Sequence, residues 1–169
     1  MSYQRLFCWA LKPLYLLYIA CFLSSGCSST SAQSKTASQQ VLQPLLYFQK
    51  TPCLGPCPAY NATIYADGNT TFVPFKNALA QDTLRLQIKA QEMQQLKRKM
   101  AALDYKLLQN SYLSGWSDMS STYITFYEEG NEVKHVKHEE GGPASLVAFI
   151  EFTGTLLEQR AKEKSLPTY

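Results

Sequence analysis

Residues 59–66, AYNATIYA, alternate strictly. Tyr60, Ala62, Ile64 and Ala66 project one way, and Asn61, Thr63 and Tyr65 project the other. Successive side chains of a strand leave opposite faces, so this spacing dictates an extended segment with one apolar face. Asp67-Gly68 follows, and then a second extended run, NTTFVPF. Asp-Gly accepts the positive backbone angles of a tight reversal, so the two runs predict an antiparallel hairpin. Pro74 offers no amide donor, which places it at a strand end or a sheet edge.

Around that hairpin the period changes. Upstream, LQPLLYFQK is rich in apolar and aromatic residues and reads as a strand. Residues 76–88 fit either a loop or a short strand at LRLQI. Then Met93, Leu96, Met100, Leu103 and Leu107 recur at intervals of three and four, one face of a helix. Lys97, Arg98 and Lys99 lie mostly off that face and read as a solvated surface. Residues 109–121 form a polar loop carrying Tyr112, Trp116 and Asp118. STYITFYEEGNEVKHVKHEE reads as a second hairpin turning at Glu129-Gly130-Asn131. A last helix is predicted from about Pro143 to Lys162, with Leu146, Val147, Phe149, Ile150 and Leu157 inward. Gly154 weakens that helix by about 1 kcal/mol relative to Ala, so it marks a close contact. The expected fold class is α+β: an antiparallel sheet of about five strands with two packed helices, in the order β-β-β-α-β-β-α.

The N-terminus reads differently. MSYQRLFCWALK carries two positive charges, PLYLLYIACFL is apolar, and small residues lead to Cys27. These are the three parts of a secretory signal, and the apolar run is short for a membrane span. Leu23-Ser24-Ser25-Gly26-Cys27 resembles the lipobox of bacterial lipoproteins. That resemblance implies cleavage before Cys27 and acylation of its thiol and new amino terminus. Multiple acyl chains anchor a protein stably to a bilayer. Ser28, rather than Asp, implies sorting to the outer membrane, with the domain facing the periplasm. The expected organisation is a removed signal at 1–26 and a lipidated Ser/Thr/Gln tether at 27–40. A single globular domain at 41–162 and a loose tail at 163–169 complete it. The net charge of +3 falls to +1 once Arg5 and Lys12 leave with the signal, and no broad basic patch points to nucleic acid.

Of five cysteines, Cys8 and Cys21 fall in the signal and Cys27 is the lipid site, which leaves Cys53 and Cys57. They sit in TPCLGPCPAY, and three chemistries are open to them. A disulfide suits an oxidising compartment, with Gly55 and Pro56 shaping the ring and Pro52 and Pro58 stiffening its exits. A redox pair usually has two intervening residues at a helix start, whereas here three intervene and a strand follows. A copper site could combine Cys53, Cys57 and one histidine, such as His135. His135 and His138 are three apart in a strand and cannot both face the cysteines. Glu128, Glu129, Glu132, Glu139 and Glu140 admit a cation site but read as solvated hairpin ends. Tyr112, Trp116 and Asp118 admit a small binding surface, with aromatic lids on the core as the plainer alternative. There is no Ser-His-Asp order, phosphate loop or zinc motif, and no cofactor is expected.

An apolar strand leads here to Thr51, Pro52, Cys53, Gly55, Cys57, Pro58 and Tyr60. That C-x-G-x-C-P-x-Y signature resembles a bacterial envelope family defined only as domain of unknown function 6438. The strand ending at Asp67-Gly68, the loop with Tyr112 and Asp118, and the Gly-Pro-led final helix extend the resemblance over about residues 42–160. The family implies an envelope location and no assigned activity. The expectation is a non-enzymatic, lipid-anchored module that binds another envelope component. The alternative is a thiol-based copper or redox protein using Cys53 and Cys57.

Overall fold

A computed structural model of the chain describes residues 42–78 and 80–166. The residues read as signal (1–26) and as lipidated tether (27–40), Cys27 among them, lie outside these residues. The strands are β1 (Pro44–Lys50), β2 (Ala59–Tyr65), β3 (Asn69–Lys76), β4 (Leu84–Gln87), β5 (Ser111–Tyr112), β6 (Thr122–Glu128) and β7 (Asn131–His138). The helices are α1 (Ala90–Leu103) and α2 (Ala144–Ser165), with a short 3₁₀ turn at Tyr105–Leu107. The strands form one sheet in the order β4-β3-β2-β1-β6-β7-β5. All pairs are antiparallel except β5 with β7.

The sheet therefore has seven strands rather than about five. The two additions are its edges. β4 has four residues and β5 has two, too short for a periodic signal. Pairing holds them, not pattern: β4 pairs with β3 from Asn69–Gln87 to Phe72–Leu84. The alternation expected in β2 is present, with Tyr60, Ala62 and Ile64 buried and Asn61, Thr63 and Tyr65 not. Gly68 turns the first hairpin at φ +87°, and a Cβ there would stand 2.8 Å from the carbonyl oxygen of Ile88. Both the angle and the crowding demand glycine.

One face of the sheet meets the two helices. Phe48, Tyr60, Ile64, Phe72, Ile124 and Phe126 pack there with Leu96, Leu146, Phe149 and Leu157 in a single core. Phe126 stacks on Tyr105 and meets Phe149 at a tilt of 33°, at ring centroid distances of 4.3 and 5.8 Å. Met93, Leu96, Met100 and Leu103 are the buried stripe of α1, as their spacing predicts. Leu107 is not part of it and is 79% exposed, while Leu108 is buried. Asp104 adopts a left-handed conformation (φ 49°), which ends α1. That left-handed residue interrupts the helical repeat, so the stripe does not continue to Leu107, and Leu108 turns inward instead. Lys97, Arg98 and Lys99 are exposed.

α2 begins after Pro143 and runs to Ser165, past the expected end near Lys162 and into the segment read as a loose tail. It is tied to α1 by Arg160, which pairs with Glu92 and, one turn on, with Glu163. Glu92 also accepts the Lys89 backbone N–H at 3.0 Å and closes the start of α1. Gly154 makes the close contact its position implied. A Cβ there would lie 3.1 Å from Nζ of Lys50 and 3.7 Å from the Tyr60 hydroxyl.

The cysteine loop as candidate functional site

β1 ends at Lys50, and its pairing with β6 continues one residue further. The Thr51 N–H donates to the Ser121 carbonyl (2.9 Å), and the Ser121 N–H donates to the Thr51 hydroxyl (2.7 Å). The chain then leaves the sheet as the loop 51–58. Cys53 and Cys57 stand with Cα atoms 5.8 Å apart and Sγ atoms 2.12 Å apart. This Cα spacing is the one bridged pairs adopt, so the pair is disulfide-capable. The Gly55 N–H donates to Cys53 Sγ at 3.1 Å, and Asn77 Nδ2 donates to the Gly55 carbonyl at 3.3 Å. Gly55 itself does not use a left-handed angle. Its nearest would-be neighbour is Cys53 Sγ at 3.7 Å, so an alanine fits there. Leu54, Gly55 and Pro56 are exposed; Cys53, Cys57 and Pro58 are half-buried.

The signature's tyrosine lies below the loop. Tyr60 is fully buried and stacks on Phe72 at 4.6 Å. Its hydroxyl donates to Glu158 Oε1 (3.1 Å), the oxygen that also receives Lys50 Nζ (2.8 Å). Burial, and then the negative charge of Glu158, push the Tyr60 hydroxyl far above its usual titration range. It stays neutral and acts as a fixed donor. Sequence reasoning missed Lys50 and Glu158. A signal existed: Glu158 is one helical turn after Gly154, on the face where that glycine implied a close approach.

A cleft of about 230 Å³ opens beside the loop, lined by Lys50, Thr51, Cys57, Pro58 and Ser120–Thr122. Behind it, Glu139 accepts the Ser121 hydroxyl (3.0 Å) and the Ser114 N–H (3.0 Å) and pairs with Lys137 (2.7 Å). The Lys137 bond, then those from Ser114 and Ser121, hold its carboxyl below the usual range. Glu140 accepts the Ser114 hydroxyl. Glu128 is at the other end of the sheet, bound to Tyr105 and Lys106. The five glutamates are thus divided between both ends of the β6–β7 hairpin. Among the described residues, no three or more His, Cys, Asp or Glu side chains converge as metal ligands.

The histidines are also placed apart from the cysteines. His135 sits opposite Thr125, with Nδ1 2.8 Å from the Thr125 hydroxyl and its ring stacked on Tyr123. Thr125 pairs with Tyr47, three residues before Lys50, on the order of 10 Å along the strand from the loop. The copper set Cys53, Cys57 and His135 is not assembled. His138 contacts the Gly141 carbonyl at 2.9 Å instead. Of the loop aromatics, Tyr112 packs against the core and Gly142, as a lid would. Trp116 does not; it is 78% exposed.

No curated protein matches the chain. The family model described as Domain of unknown function (DUF6438) matches residues 44–157, from the first residue of β1 well into α2. That span contains the cysteine loop, Tyr60, both hairpins and the whole sheet, and the chain belongs to the DUF6438 family.

Proposed function

We propose that the chain is a lipid-anchored protein of the bacterial envelope, acylated on Cys27 and held at the outer membrane with its domain in the periplasm. The domain is a non-enzymatic module that binds another envelope component. An oxidised Cys53–Cys57 pair pins the loop at its binding end. The observation that carries this reading is the contrast between the two ends of the sheet. The chain enters at the Pro44 end, where the connections 66–68, 88–89 and 129–130 are tight and the longer link 104–110, tied to Glu128 through Tyr105 and Lys106, leaves Leu107 as its one exposed large apolar side chain. Loops 51–58, 113–121 and 139–143, with the described residues 77–78 and 80–83 between β3 and β4, lie at the opposite end. With them stand the exposed side chains of Leu54 (91%), Leu113, Trp116 and Met119. Long loops with exposed apolar groups on a rigid frame are where binding surfaces concentrate.

The test has two parts. Cys27→Ser should leave an unlipidated precursor, and acyl chains persisting on that variant would reject the anchor. A photo-crosslinking residue at position 54 or 116 should capture a discrete envelope component in intact cells, while one at position 133, beside the opposite hairpin, should not. Equal capture from both ends would reject the binding end. A thiol-based copper or redox role is the second reading, supported by the half-exposed cysteine pair. It requires copper binding or reductase activity that disappears when both cysteines become serine.

A further inference from the structure

The two sulfurs of the loop are not equivalent. Cys57 lines the open cleft beside Thr51 and Ser121, and Cys53 does not. Cys53 Sγ instead accepts the Gly55 N–H at 3.1 Å, inside the turn. The residues between them, Leu54, Gly55 and Pro56, are exposed. In thiol–disulfide exchange a thiolate attacks one sulfur and expels the other, and the sulfur that better bears negative charge leaves faster. An amide N–H donated to a thiolate stabilises that charge. The attacked sulfur must face space that admits the incoming group. The Gly55 bond favours expulsion of Cys53, and the cleft bordered by Cys57 is the space beside the pair that could admit the incoming group.

We propose that the Cys53–Cys57 pair is a polarised exchange site, in which a small thiolate enters the cleft, attacks Cys57 and expels Cys53. A bond forms between the incoming sulfur and Cys57 Sγ as the Cys57–Cys53 bond breaks. The electron pair of the broken bond stays on Cys53 as a thiolate held by the Gly55 N–H, or takes a proton from water. The reverse step, Cys53 thiolate on Cys57, expels the small thiol and closes the loop. Exchange of this kind would open and reclose the binding end without net oxidation. The proposal rests on the pair being oxidised in the exported protein.

Glutathione is the probe. The full exported protein is exposed to it briefly, free thiols are capped with iodoacetamide, and the loop peptide is sequenced by mass spectrometry. The expected product carries glutathione on Cys57 and the cap on Cys53, in an excess of roughly three- to tenfold over the reverse. Equal labelling, an excess of glutathione on Cys53, or no adduct at either position overturns the proposal. The single-cysteine variants Cys57→Ser and Cys53→Ser give an independent reading through the pH dependence of alkylation. The Cys53 thiol should ionise at the lower pH, and the opposite order overturns the assigned leaving group. Two free thiols in untreated protein would remove the oxidised pair itself, a failure distinguishable from wrong polarity.

Discussion

Gly154→Ala sets two effects of similar size against each other. Within α2, replacing glycine by alanine gains about 1 kcal/mol of helix propensity. Against this, the new methyl would stand 3.1 Å from Nζ and 3.3 Å from Cε of Lys50. Both atoms belong to the far end of a flexible side chain, so Lys50 can move rather than the backbone. Moving it strains the bond to Glu158, whose partners are about one-third exposed (31% and 30%). A pair so exposed contributes about 0.2–1 kcal/mol. The Tyr60 hydroxyl, 3.7 Å away, is an ordinary contact. The single variant should therefore be neutral to about 0.8 kcal/mol more stable. In a Lys50→Ala background the obstruction is gone, and the full gain of about 1 kcal/mol should appear. Gly154→Leu fills the space with side chain that cannot retreat and should cost about 1–3 kcal/mol. Urea unfolding followed by far-ultraviolet circular dichroism measures all three; tryptophan emission is a poor reporter because Trp116 is already solvent-exposed. Destabilisation by Gly154→Ala of more than about 1 kcal/mol, unchanged in the Lys50→Ala background, would refute the reasoning.

Two further predictions concern the loop and the helix pair. Replacing both Cys53 and Cys57 with serine opens a ring of sequence separation 4 and should lower stability by about 2 kcal/mol, with secondary structure retained; loss of the whole fold would mean the loop organises the sheet. For Glu92, burial raises the carboxyl pKa, but bonds from Arg160 and the Lys89 backbone outweigh it and leave it below the usual range. A lowered folded-state value adds stability above the unfolded pKa, lost as pH falls through the folded one. Glu92→Gln should therefore flatten the acid limb of the stability curve and change little near neutrality beyond the lost pair; an unchanged acid limb would contradict the assignment.

The elements with a repeated pattern were legible from the order of residues alone. β2 and β3 followed from alternation around Asp67-Gly68, and α1 from its three-four spacing. What the pattern could not show was the short pairing at the edges. Leu84–Gln87 and Ser111–Tyr112 are strands because β3 and β7 present free backbone groups beside them. The end of α1 was misplaced for a local reason: Asp104 adopts a left-handed angle, and spacing cannot reveal that Leu108 rather than Leu107 turns inward. Likewise, the aromatic content of residues 109–121 could not divide Tyr112, packed on the core, from Trp116, left in solvent.

Around TPCLGPCPAY the division is similar. By itself the sequence determined that two cysteines lie four apart between stiff prolines, ahead of a strand. Proline restricts the backbone locally, and alternation is a property of neighbouring residues. It also carried the resemblance that the family match supports. Only the tertiary structure decided that Glu158, nearly a hundred residues later, receives both Tyr60 and Lys50. Only it placed His135 away from the cysteines, and Cys57 rather than Cys53 on the cleft. Those placements depend on how α2 crosses the sheet and on the register of β6 with β1 and β7. Register and crossing are set by many distant side chains packing at once, not by any short run of residues.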